Sequence, residues 1–150
     1  MKMSPELKKA QENMQPGVIT AEGFLGNEEH SLKDIIVRDE AEMQKYELDY
    51  DQTADLLRQL VEEGRKGLGE AVTVREKWLV QTFESRGHLP CPFEDGIFRK
   101  ITAEITNKES GDKLLVSDLA IHLMETHHFL EGEGSSFRLD PSKVSKVLYK

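Results

Sequence analysis

The stretch Ser117–Asp140, SDLAIHLMETHHFLEGEGSSFRLD, is the segment around which the rest of the chain must fold. Ser117 is a favourable helix N-cap and Asp118 suits a first helical turn, so a helix is predicted to begin here. Gly132 is the expected left-handed residue at its end. At about 100° per residue the apolar positions fall on more than one side of this helix; they are Leu119, Ile121, Leu123, Met124 and Leu130. The helix is therefore predicted to be covered by other elements on more than one side.

The same helix holds three of the chain's five histidines. His122 and His127 are five residues apart, which corresponds to roughly 140° around a regular helix. We therefore expect them to flank the leucine face on opposite sides. A straight helix does not easily present such a pair to one metal ion, unlike the i, i+4 histidines of H-E-x-x-H motifs.

Composition limits the classes of protein that fit the chain. A length of 150 residues suits a single domain, 1–150, with a helical region over about 1–69 and a sheet with helices over about 70–150. The formal net charge of −8 argues against binding to nucleic acid or to an anionic membrane. One cysteine excludes an internal disulfide and fits a reducing compartment. The expected location is the cytoplasm, and the oligomeric state is left open.

The N-terminal half is predicted to be helical, and the sequence indicates where each helix begins. Ser4 before Pro5 and Ser31 are the expected caps of two helices, and a third helix is expected to start within 49–55. Asp39 falls in the apolar face of the Ser31 helix, and together with Glu42 it resembles a capping box. The sequence therefore favours a break and restart at Asp39, the alternative being a buried carboxylate with a raised pKa.

The C-terminal half changes to the two-residue alternation of strands. The segments involved are a strand in Ala71–Phe83, a turn at Arg86–Gly87, a hairpin of Ile97–Thr106 with Lys113–Val116, an edge strand at Phe137–Leu139, and a last helix after Asp140–Pro141. The order of helices, strands and helices predicts the α+β class, with a small antiparallel sheet packed by the histidine-bearing helix and an N-terminal helical region.

Four segments resemble a family of small bacterial cytosolic proteins of unknown function. They are GVITAEGFLG at Gly17–Gly26, LPCPF at Leu89–Phe93, FRK at Phe98–Lys100, and DLAIHLMETHHFLEGEGSSFRLDP at Asp118–Pro141. The resemblance implies a prokaryotic cytosolic protein. It implies no active-site residues.

One candidate site is a transition-metal centre. His88 and Cys91 offer a nitrogen and a thiolate three residues apart, and His122 with His127 or His128 would complete a zinc set if the sheet lies against the helix. The structural alternative is that Cys91, held between two prolines, packs as a small hydrophobic residue. Zinc is the one cofactor that this pattern suggests.

A second candidate site is the loop that follows the helix. Its backbone N–H groups and an arginine fork are suited to an anionic small molecule; the candidates are His127, His128, Gly132, Gly134, Ser135, Ser136 and Arg138. The first functional hypothesis is accordingly a non-catalytic module that binds a small ligand or a protein partner. The alternative is a small metal-dependent enzyme, hydrolase-like, that uses the histidine and cysteine ligands.

Overall fold

The computed structural model describes residues 3–150, and within them five helices pack on a four-stranded antiparallel sheet with strand order β1-β2-β3-β4. The elements in chain order are α1 (Pro5–Asn13), α2 (Leu32–Lys45), α3 (Tyr50–Arg65), β1 (Val72–Val74), β2 (Trp78–Pro90), β3 (Ile97–Asn107), β4 (Lys113–Ser117), α4 (Asp118–His127) and α5 (Pro141–Leu148). The predicted α+β class is confirmed. Across residues 3–150, every helix is too short or too polar to cross a bilayer.

Each helix begins at a side chain that satisfies a free backbone N–H of its first turn. The caps are Ser4, Ser31, Asp49, Ser117 and Asp140, and each accepts from the backbone nitrogen three residues later. Ser4, Ser31, Ser117 and Asp140 are the caps that the sequence predicts, and Asp49 lies within the stretch where the third helix is expected to start. The starts of the helices are therefore decided locally.

Helix α4 lies between two hydrophobic clusters, as its apolar pattern predicts. Ile121 and Met124 pack in the cluster that joins the sheet to α3 and α5. Leu119 and Leu123 pack in a second cluster with Cys91 and residues of α1 and α2. The helix thus connects the sheet to the N-terminal helices and carries its histidines at the boundary between the two clusters.

The predicted break in the second helix is wrong, since α2 runs unbroken through Asp39. Asp39 is completely buried. The guanidinium of Arg138 donates to both of its carboxylate oxygens, at 2.8 and 2.9 Å. Because the charge is paired and hydrogen-bonded, the carboxylate can stay inside a continuous helix.

The turn predicted at Arg86–Gly87 is also wrong, because β2 continues to Pro90. Gly87 lies in a register irregularity between Glu84 and His88, and its φ of 91° is left-handed. The strand predicted over Ala71–Phe83 is split into β1 and β2 by a turn. As a result, the turn between β2 and β3 lies at residues 91–96, which brings Cys91 to the tip of that hairpin.

Helix α4 ends earlier than predicted. His128, with a φ of 55°, is the left-handed C-cap, rather than Gly132. Gly132 is required for another reason: a Cβ there would lie 1.9 Å from the carbonyl oxygen of Leu25. Phe137–Leu139 forms no strand. The glycine-rich loop instead packs closely against the loop that precedes α2.

Candidate metal centre

The tip of the β2–β3 hairpin lies against the C-terminal half of α4. The backbone nitrogen of Cys91 donates to the carbonyl of Gly96 at 2.9 Å, and that of Glu94 donates to the carbonyl of Cys91 at 2.8 Å. These bonds close a six-residue turn over residues 91–96. Cys91 is buried at the base of the turn, whereas the Asp95 side chain remains 35% exposed.

The Asp95 carboxylate joins the two helical histidines. His122 Nε2 lies 3.0 and 3.1 Å from its two oxygens, and His127 Nε2 lies 2.7 Å from one of them. Cys91 Sγ is 3.9 Å from His127 Nε2. One potential ligand atom from each of these four residues lies within 4.8 Å of all the others. We call Cys91, Asp95, His122 and His127 the hairpin cluster.

The sequence predicts that His122 and His127 flank the leucine face on opposite sides and do not easily face one metal ion, but their ring centroids are only 5.3 Å apart. Both rings lean toward the hairpin, where phenylalanines hold them. Phe93 stacks on His127 at 3.9 Å and Phe98 stacks on His122 at 4.3 Å, centroid to centroid. At these two positions Nε2 of each imidazole reaches the same carboxylate, that of Asp95, despite the angle between the backbone positions.

The electrostatics of the hairpin cluster follow from burial and hydrogen bonding. Burial raises the pKa of the Cys91 thiol to about 12, with a further contribution from Asp95. For Asp95, partial burial acts to raise the pKa, but hydrogen bonds from Cys91, His122 and His127 outweigh it and lower the pKa to about 2. Burial lowers the pKa of His127, opposed by Asp95. The cluster therefore combines a carboxylate, a neutral imidazole and a protonated thiol at neutral pH.

This geometry does not suit a cysteine nucleophile. In a Cys-His-Asp triad the acid orients one imidazole nitrogen while the other nitrogen takes the thiol proton. Here the Asp95 carboxylate and the Cys91 sulfur both approach Nε2 of His127. A reactive thiol also needs a lowered pKa, and that of Cys91 is raised.

Three of the four predicted metal candidates come together, namely Cys91, His122 and His127. His88 does not join them, because it lies exposed within β2, opposite Arg99. The fourth potential ligand is Asp95, which is not among the residues predicted from the sequence. The signal that could have identified Asp95 is the sequence CPFEDG, a proline- and glycine-containing turn between two alternating segments, which places an aspartate at the tip of a hairpin.

The glycine-rich loop presents a different arrangement, because its donors bind carboxylates of the protein itself. Ser136 donates through both N and Oγ to Glu22. The backbone nitrogen of Glu133 donates to Glu28 at 3.1 Å. An external anion would have to displace these carboxylates.

Two further loop candidates, Arg138 and His128, also have partners within the protein. Arg138 is bonded to Asp39 and to the backbone carbonyl of Glu131. His128 stacks on Tyr50 at 3.8 Å between centroids and lies 2.9 Å from a carboxylate oxygen of Glu40. Ligand binding at this loop stays a prediction, and the arrangement of its donors does not favour an anion.

The fold and the hairpin cluster together define a mixed α+β protein with a cysteine–aspartate–histidine–histidine group suited to a metal ion. Comparison with known proteins adds no further identity: no family model, no curated protein and no solved structure matches the chain.

Proposed function

We propose that this protein binds a divalent transition-metal ion, best matched by zinc, at the hairpin cluster, and that the ion acts as a non-catalytic link between the β2–β3 hairpin and α4. The observation that carries the proposal is the convergence of four potential ligand atoms within 4.8 Å of one another. Two of the four ligands come from the hairpin and two from the helix.

The types of donor favour zinc over calcium or magnesium. A thiolate and two imidazoles are ligands for zinc and other late transition metals, whereas calcium and magnesium prefer an all-oxygen shell. Ligand atoms around one tetrahedral zinc lie about 3.3–3.8 Å apart, given bond lengths of about 2.0–2.3 Å. The distances from His127 Nε2 to Asp95 and to Cys91 Sγ, 2.7 and 3.9 Å, lie below and above this range. The side chains must therefore shift to enclose an ion.

Binding of a cation would change the protonation states of the ligands. A buried thiol whose pKa is about 12 becomes a thiolate only when a positive charge is supplied next to it. The Asp95 carboxylate needs no proton removed, whereas the neutral His127 donates to Asp95 through Nε2 and must carry its proton on Nδ1 instead before Nε2 can bind a metal. The hydroxyl of Thr126, 3.3 Å from His122 Nδ1, can accept from that nitrogen and leave Nε2 free for the metal.

The hydrolase-like alternative is less well supported. A catalytic zinc keeps one coordination position open for water or substrate, whereas four protein ligands complete a tetrahedral shell. The cavity of about 290 Å³ beside the sheet is lined by none of the four. A metal that fastens a hairpin to a helix contributes to folding instead.

The test is metal stoichiometry on full-length protein made without a histidine tag. The stripped protein is titrated with zinc in competition with a chromophoric chelator. We expect one zinc per chain, with the loss of at least a hundredfold in affinity in Cys91→Ser and His122→Ala. His88→Ala is the matched control and should bind like wild type.

A cobalt titration separates the structural from the catalytic version. Four-coordinate cobalt with a thiolate-to-metal absorption band, unchanged by added azide, supports the closed site. A band that shifts with azide indicates an open position and favours the enzyme. Absence of stoichiometric binding, or equal affinity in wild type and Cys91→Ser, overturns the proposal.

A further inference from the structure

A cavity of about 290 Å³ lies where β2, β3, the start of α4 and the glycine-rich loop meet. Its walls are largely apolar, with Phe24, Phe83, Leu89, Ile101, Leu119 and Phe137 among the lining side chains. The volume falls at the low end of ligand pockets, about 300–1,000 Å³. The cavity therefore has the size and lining of a site for a small, mostly apolar molecule.

A buried carboxyl group lines this cavity. The Glu131 residue is only 4% exposed, and its Oε1 accepts from Ser135 Oγ at 2.6 Å. Its Oε2 has no hydrogen-bond partner within residues 3–150. Among residues 3–150, the Tyr50 hydroxyl is the only side-chain polar atom that is both fully inaccessible and without a hydrogen-bond partner. Oε2 of Glu131 is therefore accessible to a small probe. Glu131 therefore has a free acceptor at the cavity wall.

Two carboxylates line this cavity, those of Glu131 and Glu22. Glu22 acts on Glu131 as a like charge. Within residues 3–150 neither carboxylate forms a salt bridge with a lysine, arginine or histidine. Arg99 and Lys100 line the cavity from β3, and the guanidinium of Arg99 is already bonded to Asp118 and Glu62. Burial and Glu22 raise the pKa of Glu131 to about 7, as expected for a buried carboxyl that lacks a cationic partner.

We propose that this cavity binds a small molecule with an ammonium group on an apolar body, such as an arylalkylamine, and that Glu131 accepts the ammonium hydrogen bond. The apolar body would pack on Phe24, Ile101 and Phe137. Glu22 would add attraction from the rim. This site is separate from the hairpin cluster and does not depend on a bound metal.

The proposal is tested with three probes of similar size: 2-phenylethylamine, 2-phenylethanol and 3-phenylpropionate. Binding is followed by amide chemical shifts in full-length ¹⁵N-labelled protein at pH 8, where Glu131 is mostly ionised. We expect saturable shifts around Phe24, Ile101 and Phe137, with the amine bound about tenfold or more tighter than the alcohol. Such a ratio is typical of a hydrogen bond between charged groups.

Glu131→Gln should remove most of the preference for the amine and leave the affinity for the alcohol nearly unchanged. The matched control is Glu133→Gln, an exposed position in the same loop with the same change in charge. If Glu131→Gln does not fold by circular dichroism, Glu22→Gln serves instead and should weaken the amine severalfold. Equal affinity for amine and alcohol, a preference for the carboxylate, or no saturable binding of any probe overturns the proposal.

Discussion

Two regions rich in chemically active side chains behave in opposite ways. In the hairpin cluster, Asp95 and two histidines converge on one small volume, and the Cys91 thiol beside them keeps its proton. Around Arg138, the guanidinium, the loop amides and the hydroxyls each already have an acceptor within the protein. The first region can gain from an added ion, while the second already holds its counter-charges.

The difference shows why residue type alone does not define a site. A guanidinium beside serines and glycines suggests anion binding, yet a buried arginine more commonly exists because a buried carboxylate needs it. What separates the two regions is that the hairpin cluster places a thiol and two imidazoles around one partly exposed carboxylate, whereas Arg138 is already paired with the buried carboxylate of Asp39. The following predictions test that contrast.

The largest effect is expected from Arg138→Met. Removing this cation leaves Asp39 buried with only the partly exposed Arg38 nearby, and breaking a buried pair costs about 3–5 kcal/mol. The free energy of unfolding is measured by urea denaturation. Arg86→Met, at an exposed position, is the control and should change stability by no more than about 0.5 kcal/mol. If the Arg138→Met protein were as stable as wild type, Arg138 would again be a candidate for ligand binding.

Zinc should stabilise the wild-type protein by nearly as much as Arg138→Met destabilises it. At a free concentration about a thousand times the dissociation constant, binding to the folded state adds about 4 kcal/mol. For a chain of this size that raises Tm by roughly 8–16 °C. Cys91→Ser should show almost no zinc-dependent rise in a thermal scan, whereas His88→Ala should keep it. A rise of the same size in Cys91→Ser would show that zinc acts elsewhere.

A smaller effect is expected at Thr126, whose hydroxyl contacts Nδ1 of His122, the ring nitrogen that does not face Asp95. Loss of a group that orients a metal ligand typically reduces metal affinity about 10–100-fold. Thr126→Val should therefore weaken zinc binding within that range and leave stability without metal nearly unchanged. Thr73→Val, at an exposed strand position, is the control. Unaltered zinc affinity in Thr126→Val would indicate that this contact does not orient the imidazole.

The smallest expected effect is the decrease in the free energy of unfolding when Asp95 is protonated in the metal-free protein. Its folded-state pKa of about 2 lies below the ordinary value of 3.8, so its contribution is present above pH 3.8 and is lost as the pH falls toward 2. Allowing for solvent screening of a side chain that is 35% exposed, we expect about 1 kcal/mol.

The measurement compares wild type with Asp95→Asn in chelator, by urea unfolding from pH 5 to pH 2. Their difference in unfolding free energy should shrink across this range. Protonation of His127, whose pKa is lowered, also decreases the free energy of unfolding on acidification. It does so at a higher pH than protonation of Asp95. A difference that stays constant down to pH 2 would contradict the role assigned to Asp95.

Much of the fold follows from local sequence. The caps Ser31, Ser117 and Asp140 act on backbone atoms three residues away, so their neighbours in the chain are sufficient to recognise them. The apolar residues of α4 likewise indicate burial on more than one side. These features need no knowledge of distant segments.

The errors occur where a distant residue decides the outcome. Asp39 remains inside α2 because of Arg138, 99 positions later in the chain. Asp95 is one of 28 acidic residues, and it becomes notable only because the hairpin tip folds beneath α4. His122 and His127 meet because Phe93 and Phe98 hold their rings. None of these pairings has a signature in local spacing.

The position of α4 between two hydrophobic clusters has a consequence for how the molecule opens. Separating the helix from either neighbour exposes Leu119 and Leu123 on one side or Ile121 and Met124 on the other. Fraying of this segment alone is therefore costly, and the N-terminal helices and the sheet are expected to unfold as one cooperative unit. The backbone amides of α4 should be among the slowest in the chain to exchange with deuterium.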